Sequence, residues 1–445
     1  MGLSTGLRIG AAITAVSSLA ACTSGLFPPD DPPTPKRAGP APQWSAQTPA
    51  GLNRTVVVGR VAVVLTDEAV MGLDVATGRR LWRSPSGDKH VRRVTDEVIV
   101  DWRKDDPDGK GPFTVIDPAT GRTLWRGESA RSLLVTQDAI FVSACDAAEK
   151  CATTRHEPRT GEVRWTVPAE SSFPDDRIGV RAPLAAPTGD YVPTSAGLGW
   201  RPKDRKSPSL WGVRDTRTGR PAPGRAEELG WHQLVVGRTL ISTDHDPPEG
   251  DERCTVTVQA VDAESGRRMW TRKVFSHRGS DGECEKFLAP LSAGMEFIGA
   301  DGRVIASTED GRPQLFDLRT GRTVWRADRP GMPLDGDGRS VLIRDQGDRG
   351  ELALLDFATG RTRWTAPDPG LEHSSASWRT MVTRGLVAVT GAEGGSPHVL
   401  VYRVADGRLL GRFPGWLHGL GDDWAVVGST RDAPAGRIVV EFIRF

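Results

Sequence analysis

The chain has 445 residues with 58 Lys+Arg against 57 Asp+Glu, so its formal charge is +1 and it lacks the basic excess that binding to nucleic acid or an anionic lipid surface draws on. Only 6% of residues are aromatic, yet 14 are Trp and 2 are Tyr, which concentrates the large rings in one residue type. Nine of the basic residues are Lys; the Arg bias fits a GC-rich genome better than dozens of carboxylate or phosphate forks.

Residues 1–21 carry one charge, Arg8, followed by a weakly apolar stretch from Ile9 to Ala21. That stretch is too short to span a bilayer but suits the core of an export signal. Its end, Leu19, Ala20, Ala21, Cys22, resembles the lipobox of bacterial lipoproteins. By that resemblance Cys22 is diacylated after cleavage and begins the mature chain; an ordinary secreted protein whose Cys22 follows the apolar run by chance is the alternative. Two acyl chains hold a soluble domain at a membrane face, where one is marginal. Residues 22–43 then form a tether: Pro28, Pro29, Pro32, Pro33, Pro35, Pro40 and Pro42 fix φ and remove donors, giving an extended, semi-rigid spacer. The expected location is the extracytoplasmic face of the cell membrane.

From Trp44 to Phe445 the sequence is a repeat. Residues 55–84 contain four short segments, Thr55–Val58, Val61–Leu65, Val70–Val75 and Arg80–Arg83, mostly rich in Val, Leu or aromatic residues and separated by turn chemistry, which predicts a four-stranded antiparallel meander. Between the third and fourth segments stands Asp74, then Thr77, Gly78 and Trp82. The Asp accepts from backbone N–H groups just downstream, and Gly supplies the positive φ that closes the turn. The pattern returns as Asp117, Thr120, Gly121, Trp125; as Asp262, Ser265, Gly266, Trp270; as Asp317, Thr320, Gly321, Trp325; and as Asp356, Thr359, Gly360, Trp364. Imperfect copies fill the gaps: Glu157 precedes Gly161 and Trp165, Asp215 and Gly219 are followed by Pro223 instead of Trp, and Gly407 has Arg403 and Gly411 at the outer positions. Successive glycines lie 39 to 58 residues apart, the period of a repeating supersecondary unit.

Four short strands bury too little surface alone, so each unit must stack on its neighbours, with a Trp on each outer strand as the wedge. Radial repetition of such sheets is a β-propeller, an all-β fold. No segment after the signal keeps a helical period, which excludes a helical solenoid. Trp44 reads as an orphan fourth strand, and pairing it with strands in the tail (Trp424–Val427, Arg437–Phe445) would close the ring with both chain ends. Eight blades are expected, within a range of seven to nine, with an irregular copy near Gly219 or Gly407.

Setting Cys22 aside, Cys145, Cys151, Cys254 and Cys284 are an even number in an exported chain, and pairing by proximity is expected, Cys145 with Cys151 and Cys254 with Cys284. Loops of these lengths would stabilise the fold by about 2 and 4 kcal/mol. The alternative, a zinc site with His156 and His277, lacks the CxxC spacing that zinc sites favour.

The Asp-x-x-Thr-Gly-x-x-x-Trp signature is similar to the repeat of the pyrroloquinoline-quinone-type (quinoprotein dehydrogenase-like) propellers, and the resemblance runs from about Trp44 to the C-terminus. That family includes quinone-dependent alcohol dehydrogenases and non-enzymatic members such as the lipoprotein scaffold of the outer-membrane barrel-assembly machine. Its enzymes hold the quinone and a calcium ion on Glu, Asn and Asp ligands beside a ring of two adjacent cysteines; this chain has no adjacent cysteines and is shorter. The resemblance therefore implies a non-enzymatic, monomeric scaffold without cofactor, binding an unknown protein or small ligand at the cell envelope, with a quinone- and calcium-dependent dehydrogenase of alcohols or sugars as the alternative. An Arg-rich lipoprotein on a Pro-rich tether fits a high-GC Gram-positive surface, where no outer membrane is expected.

Other constellations are weaker. Asp244, Asp246, Glu249, Asp251 and Glu252 around His245, and Asp105, Asp106 and Asp108, could offer oxygens to calcium but read better as solvated hairpin tips. The eight His residues show no metal-ligand spacing, no Walker-type loop is present, and the Gly2-Leu3-Ser4-Thr5-Gly6 match lies within the export signal. Trp102, Trp200, Trp211, Trp231, Trp378, Trp416 and Trp424 lie outside the repeat position and read as packing residues.

Overall fold

A computed structural model describes residues 36–49, 51–87, 90–104, 110–146, 148, 150–168, 190–195, 211–220, 232–246, 253–278, 298–299, 303–307, 311–345, 350–368, 380–393, 396–431 and 433–445. The export signal, Cys22, most of the tether and Cys284 lie outside them.

Each unit is a meander whose consecutive strands pair in order. Sheet 1 comprises Arg54–Val58, Val61–Leu65, Ala69–Asp74 and Arg80–Pro85. Sheets 2 and 3 follow within residues 90–130 and 132–168, and sheets 5 to 8 within 232–278, 298–326, 332–367 and 380–414, all four-stranded and antiparallel. Sheet 9 completes the ring: Trp416–Leu420, Trp424–Ser429 and Arg437–Arg444 take the N-terminal strand Trp44–Pro49 as their fourth member, with Trp44 opposite Phe442 and Pro49 opposite Arg437. Both ends of the chain therefore clasp one sheet, as the orphan Trp44 predicts. At the Gly219 copy the described residues give a two-stranded sheet 4, Tyr191–Ser195 with Trp211–Asp215. The described residues thus give eight four-stranded sheets and one two-stranded sheet, against an expectation of eight blades in a range of seven to nine; of the two candidates for an irregular copy, the one at Gly219 is irregular and the one at Gly407 is regular.

Burial shows how the sheets hold one another. All five residues of Val61–Leu65 are buried, which a strand with one wet face would not show. The period of two explains it: Val61, Val63 and Leu65 pack with Val94, Ile99 and Ile116 of sheet 2, while Ala62 and Val64 pack with Val426, Val440 and Phe442 of sheet 9. Among the described residues, sheets 1 to 3 and 7 to 9 each have two dry faces, and their core is a series of clusters lying between sheets. The fourth strand alternates exposed and half-buried residues along Arg80–Pro85, and so forms the outer edge.

In seven sheets the pairing of the third and fourth strands slips by one residue just before the motif turn, as between Gly72 and Leu73 or between Leu354 and Leu355. Such a bulge bends and twists the fourth strand, and six of the seven sheets that have it carry the motif Trp on that strand.

Candidate functional site

Each motif turn is built from local donors. At the first, Asp74 Oδ1 accepts from the N–H of Ala76 (3.1 Å) and from the N–H and hydroxyl of Thr77 (both 2.9 Å), while the Gly78 N–H donates to the Asp74 carbonyl at 2.8 Å. These bonds hold the carboxyls below the ordinary aspartate range. The chief cause is the Thr77 hydroxyl at Asp74, the Ser265 N–H at Asp262 and the Thr320 hydroxyl at Asp317. At Asp117, Asp215 and Asp356 burial is the largest single influence and pushes upward, but Arg159, the Thr218 N–H and Arg363 lead the donors that outweigh it. The Gly407 copy inverts the charges: Arg403 donates to Asp406, which it holds at about 2.

The motif Trp completes a joint with the following sheet. Trp325 donates its indole N–H to the Phe357 carbonyl at 2.8 Å, and its ring lies on Gly360. Gly360 has φ +69°, and a Cβ there would come within 2.5 Å of the indole, so both conformation and space require glycine. The same joint recurs from Trp44 to Val75, Trp82 to Pro118, Trp125 to Pro158, Trp165 to Thr216, Trp270 to Leu318 and Trp364 to Val404, always to the carbonyl one residue past the start of the next motif. That acceptor residue is buried or half-buried in every copy, while the residue after it is exposed in every copy and varies: Ala76, Ala119, Arg159, Arg217, Glu264, Arg319, Ala358, Ala405.

Two copies lack the Trp. Where Gly411 replaces it, the segment before Trp44 covers the outer wall: Ala38 pairs with Arg412, and Arg37 lies 5.3 Å from the Phe413 ring centroid and pairs with Glu441 at 2.8 Å. Where Pro223 replaces it, a cavity of about 310 Å³ lies between the turns of sheets 4 and 5. Asp190, Tyr191, Asp215, Thr216 and Arg217 form one wall and Arg238 and Glu264 the other.

One polar cluster is internal. Asp101, on the second strand of sheet 2, accepts from Ser86 (3.0 Å) and Arg92 (3.3 Å) and meets His90 Nδ1 at 2.9 Å. The Asp101 and Arg92 side chains are 6% and 5% exposed. Ser86 bonds the carboxylate instead of the imidazole, so the Ser, His and Asp are not arranged as a nucleophile and its base. Parity places the cluster at one end of the dry seam between sheets 1 and 2, where its internal bonds satisfy the buried charges.

The remaining sequence candidates disperse. Cys145 and Cys151 face each other across the second and third strands of sheet 3 and are disulfide-bonded. Cys254 lies on a strand of sheet 5, Arg253–Asp262, and its expected partner Cys284 is outside the described residues. Asp244, His245 and Asp246 share a strand of that sheet, whereas Glu249, Asp251 and Glu252, like Asp105, Asp106 and Asp108, lie outside the described residues. His156 stacks on Trp125, with ring centroids 5.1 Å apart, and meets the Thr154 hydroxyl at 2.7 Å. Trp102 is buried in sheet 2 and Trp424 stacks on Phe442, both as packing residues, while Trp416 is 36% exposed. Trp200, Trp231 and Trp378 are outside the described residues, and Trp211 is described by its backbone alone. Among the described residues no three His, Cys, Asp or Glu side chains converge as a metal-binding group. No described helix is long and apolar enough to cross a membrane.

The sequence reading missed the polar cluster and the contact from Arg159 to Asp117. Neither leaves a spacing signal, because both are made between strands or between sheets.

Among solved structures, the BamB of Moraxella catarrhalis is 14% identical and matches over 92% of this chain and 100% of its own, with a TM-score of 0.43. The computationally designed Ika8 protein is 14% identical over 82% of this chain and 97% of its own (TM-score 0.46), and a europium-containing methanol dehydrogenase 12% identical over 90% and 93% (TM-score 0.42). No curated protein matches the chain. The sequence profile of the family described as outer membrane protein assembly factor BamB matches residues 38–132 and 255–414, leaving out the stretch that holds sheet 4. With more than half of its length matched and the indole joints running through the matched parts, the chain belongs to that family.

Proposed function

We propose that this protein is a membrane-tethered, extracytoplasmic scaffold that binds a partner through the turn face of its propeller, without catalysing a reaction. The observation that carries this reading is the division of labour in the motif turns. Asp, Thr, Gly and the buried indole acceptor are spent on holding the ring, while the exposed position beside them changes from Ala to Arg to Glu around it. A fixed frame with variable exposed positions suits recognition, and the family's description as an assembly factor agrees. Lipidation at Cys22 and the Pro-rich tether would place this face within reach of envelope partners.

The quinone reading finds no fit in the described residues. The bonded cysteines are six apart in sequence and bridge a hairpin, where the resemblance requires adjacent ones. Asp101 and the motif aspartates do not converge on one another, and they already accept hydrogen bonds from neighbouring side chains or backbone.

The test is mild crosslinking on membranes from cells expressing the full chain, followed by capture. A specific envelope protein or glycan, absent from a control carrying only residues 1–43, is the expected result. Adding the quinone with calcium and following dye reduction over alcohols and aldoses decides the alternative; reproducible turnover would replace the scaffold reading.

A further inference from the structure

The repeat shows what belongs in the gap between sheets 4 and 5. At the seam between sheets 2 and 3, Arg159 from the turn of sheet 3 reaches back to sheet 2. It donates to Asp117 Oδ2 at 2.8 Å and to the Glu97 carbonyl at 3.0 Å, so a guanidinium fills the space between the two turns. The corresponding groups at the seam between sheets 4 and 5 are Glu264, Asp215 and Asp190, since Asp190 and Glu97 each immediately precede the residue that begins or abuts the second strand. Here the exposed turn position is Glu264, which pairs with Arg238 of its own sheet and does not reach Asp215.

One of the two acceptors remains in place, the outer carboxylate oxygen of Asp215; the Asp190 carbonyl accepts instead from the Thr216 N–H (2.9 Å) and hydroxyl (3.1 Å), which leaves the Asp190 carboxylate as the second oxygen group at this seam. Asp215 uses Oδ1 for its turn, bonding the Arg217 and Thr218 N–H groups at 2.9 and 2.7 Å and the Thr218 hydroxyl at 3.0 Å. No described side chain donates to its Oδ2 or to the Asp190 carboxylate. Arg238 offsets Glu264, which leaves Asp190 and Asp215 against the single guanidinium of Arg217, a net negative charge of one in the cavity. The cavity thus repeats the aspartate oxygen that holds a guanidinium at the seam between sheets 2 and 3, offers the Asp190 carboxylate beside it and carries the matching charge.

We propose that this cavity is a receptor for an arginine side chain presented by a partner protein. The partner's existence rests on the scaffold reading, but the chemistry of the site does not. A guanidinium entering between the sheets would take the Asp215 Oδ2 and Asp190 oxygens and close the seam as Arg159 closes the seam between sheets 2 and 3.

The experiment titrates the full chain with a blocked Gly-Arg-Gly peptide and with its citrulline counterpart, which keeps the shape and loses the charge. Saturable one-to-one binding of the arginine peptide alone is expected. Glu264→Arg, which supplies the guanidinium from within, and Asp190→Asn, at an exposed position, should each weaken it about tenfold or more. Raising salt should weaken it further. Equal binding of the two peptides, no saturable binding, or wild-type affinity in a folded Asp190→Asn variant would overturn the site. Crosslinked capture that is unchanged by Glu264→Arg would leave the scaffold reading standing and remove this cavity from it; peptide binding with no captured partner would do the reverse.

Discussion

The seam between sheets 6 and 7 and the seam between sheets 4 and 5 start from nearly the same letters and end differently. In the first, Trp325 fills the space above Gly360, bonds the Phe357 carbonyl and is 8% exposed. In the second, Pro223 stands at the Trp position and a polar cavity lies between the turns. A dry joint stands where the indole is present, and a polar cavity where the sequence has no Trp at that position. The Gly411 copy teaches the same lesson from another side, because there the N-terminal segment covers the wall that an indole would have covered.

The largest effect is expected from removing the strand that latches sheet 9 and joins it to sheet 1. Deleting residues 1–49 takes away Trp44, its bond to Val75 and the fourth strand of sheet 9. Loss of the cooperative thermal transition by circular dichroism is expected, while deletion of residues 1–35 should leave the transition in place. Next, Trp325→Ala should cost about 3–5 kcal/mol in denaturant unfolding, as removal of a buried indole does. Trp325→Phe should restore most of that and retain the loss of one hydrogen bond, about 1 kcal/mol. A cost no larger than that of the exposed Val324→Ala would sink the wedge.

Acid should act on all the turns together. The motif carboxyls have folded pKa values below the ordinary 3.8, so their contribution is fully present above that value and is lost as pH falls through the lower folded values. The midpoint denaturant concentration should hold steady from pH 7 to about 5 and fall below about pH 4. Asp317→Asn should flatten part of that fall, and an unchanged slope would count against the turn assignment. The smallest effect is expected for Arg159→Ala: its side chain is 48% exposed, so breaking the pair with Asp117 should cost under about 1 kcal/mol and fade in salt.

Much of this architecture is legible in the chain because its devices are local. Asp74, Thr77 and Gly78 define a turn within five residues, Trp82 follows at a fixed distance, and Trp44 without a motif of its own announces that a strand is missing. The wedge itself was readable, but its acceptor was not. Nothing in Val75 or Phe357 marks a carbonyl that receives an indole N–H from another sheet. The cluster of Ser86, His90, Arg92 and Asp101 was hidden for a related reason, since its members meet only when two strands pair and the loop from sheet 1 crosses them. Arg159 and Glu264 were visible as letters at equivalent positions; which neighbour each reaches depends on the seam, which sequence spacing does not encode.

The clasp of Trp44–Pro49 against Arg437–Phe442 sets an order on assembly. Trp44–Pro49 cannot find its partner until residues 437–442 are made, so it must wait unpaired while the intervening sheets condense. Joining such distant stretches is entropically slow and leaves an open edge exposed in the interim. A chain built this way is most vulnerable to aggregation and proteolysis until that pairing forms, and premature termination anywhere upstream of residue 437 would leave the entire circle unlatched.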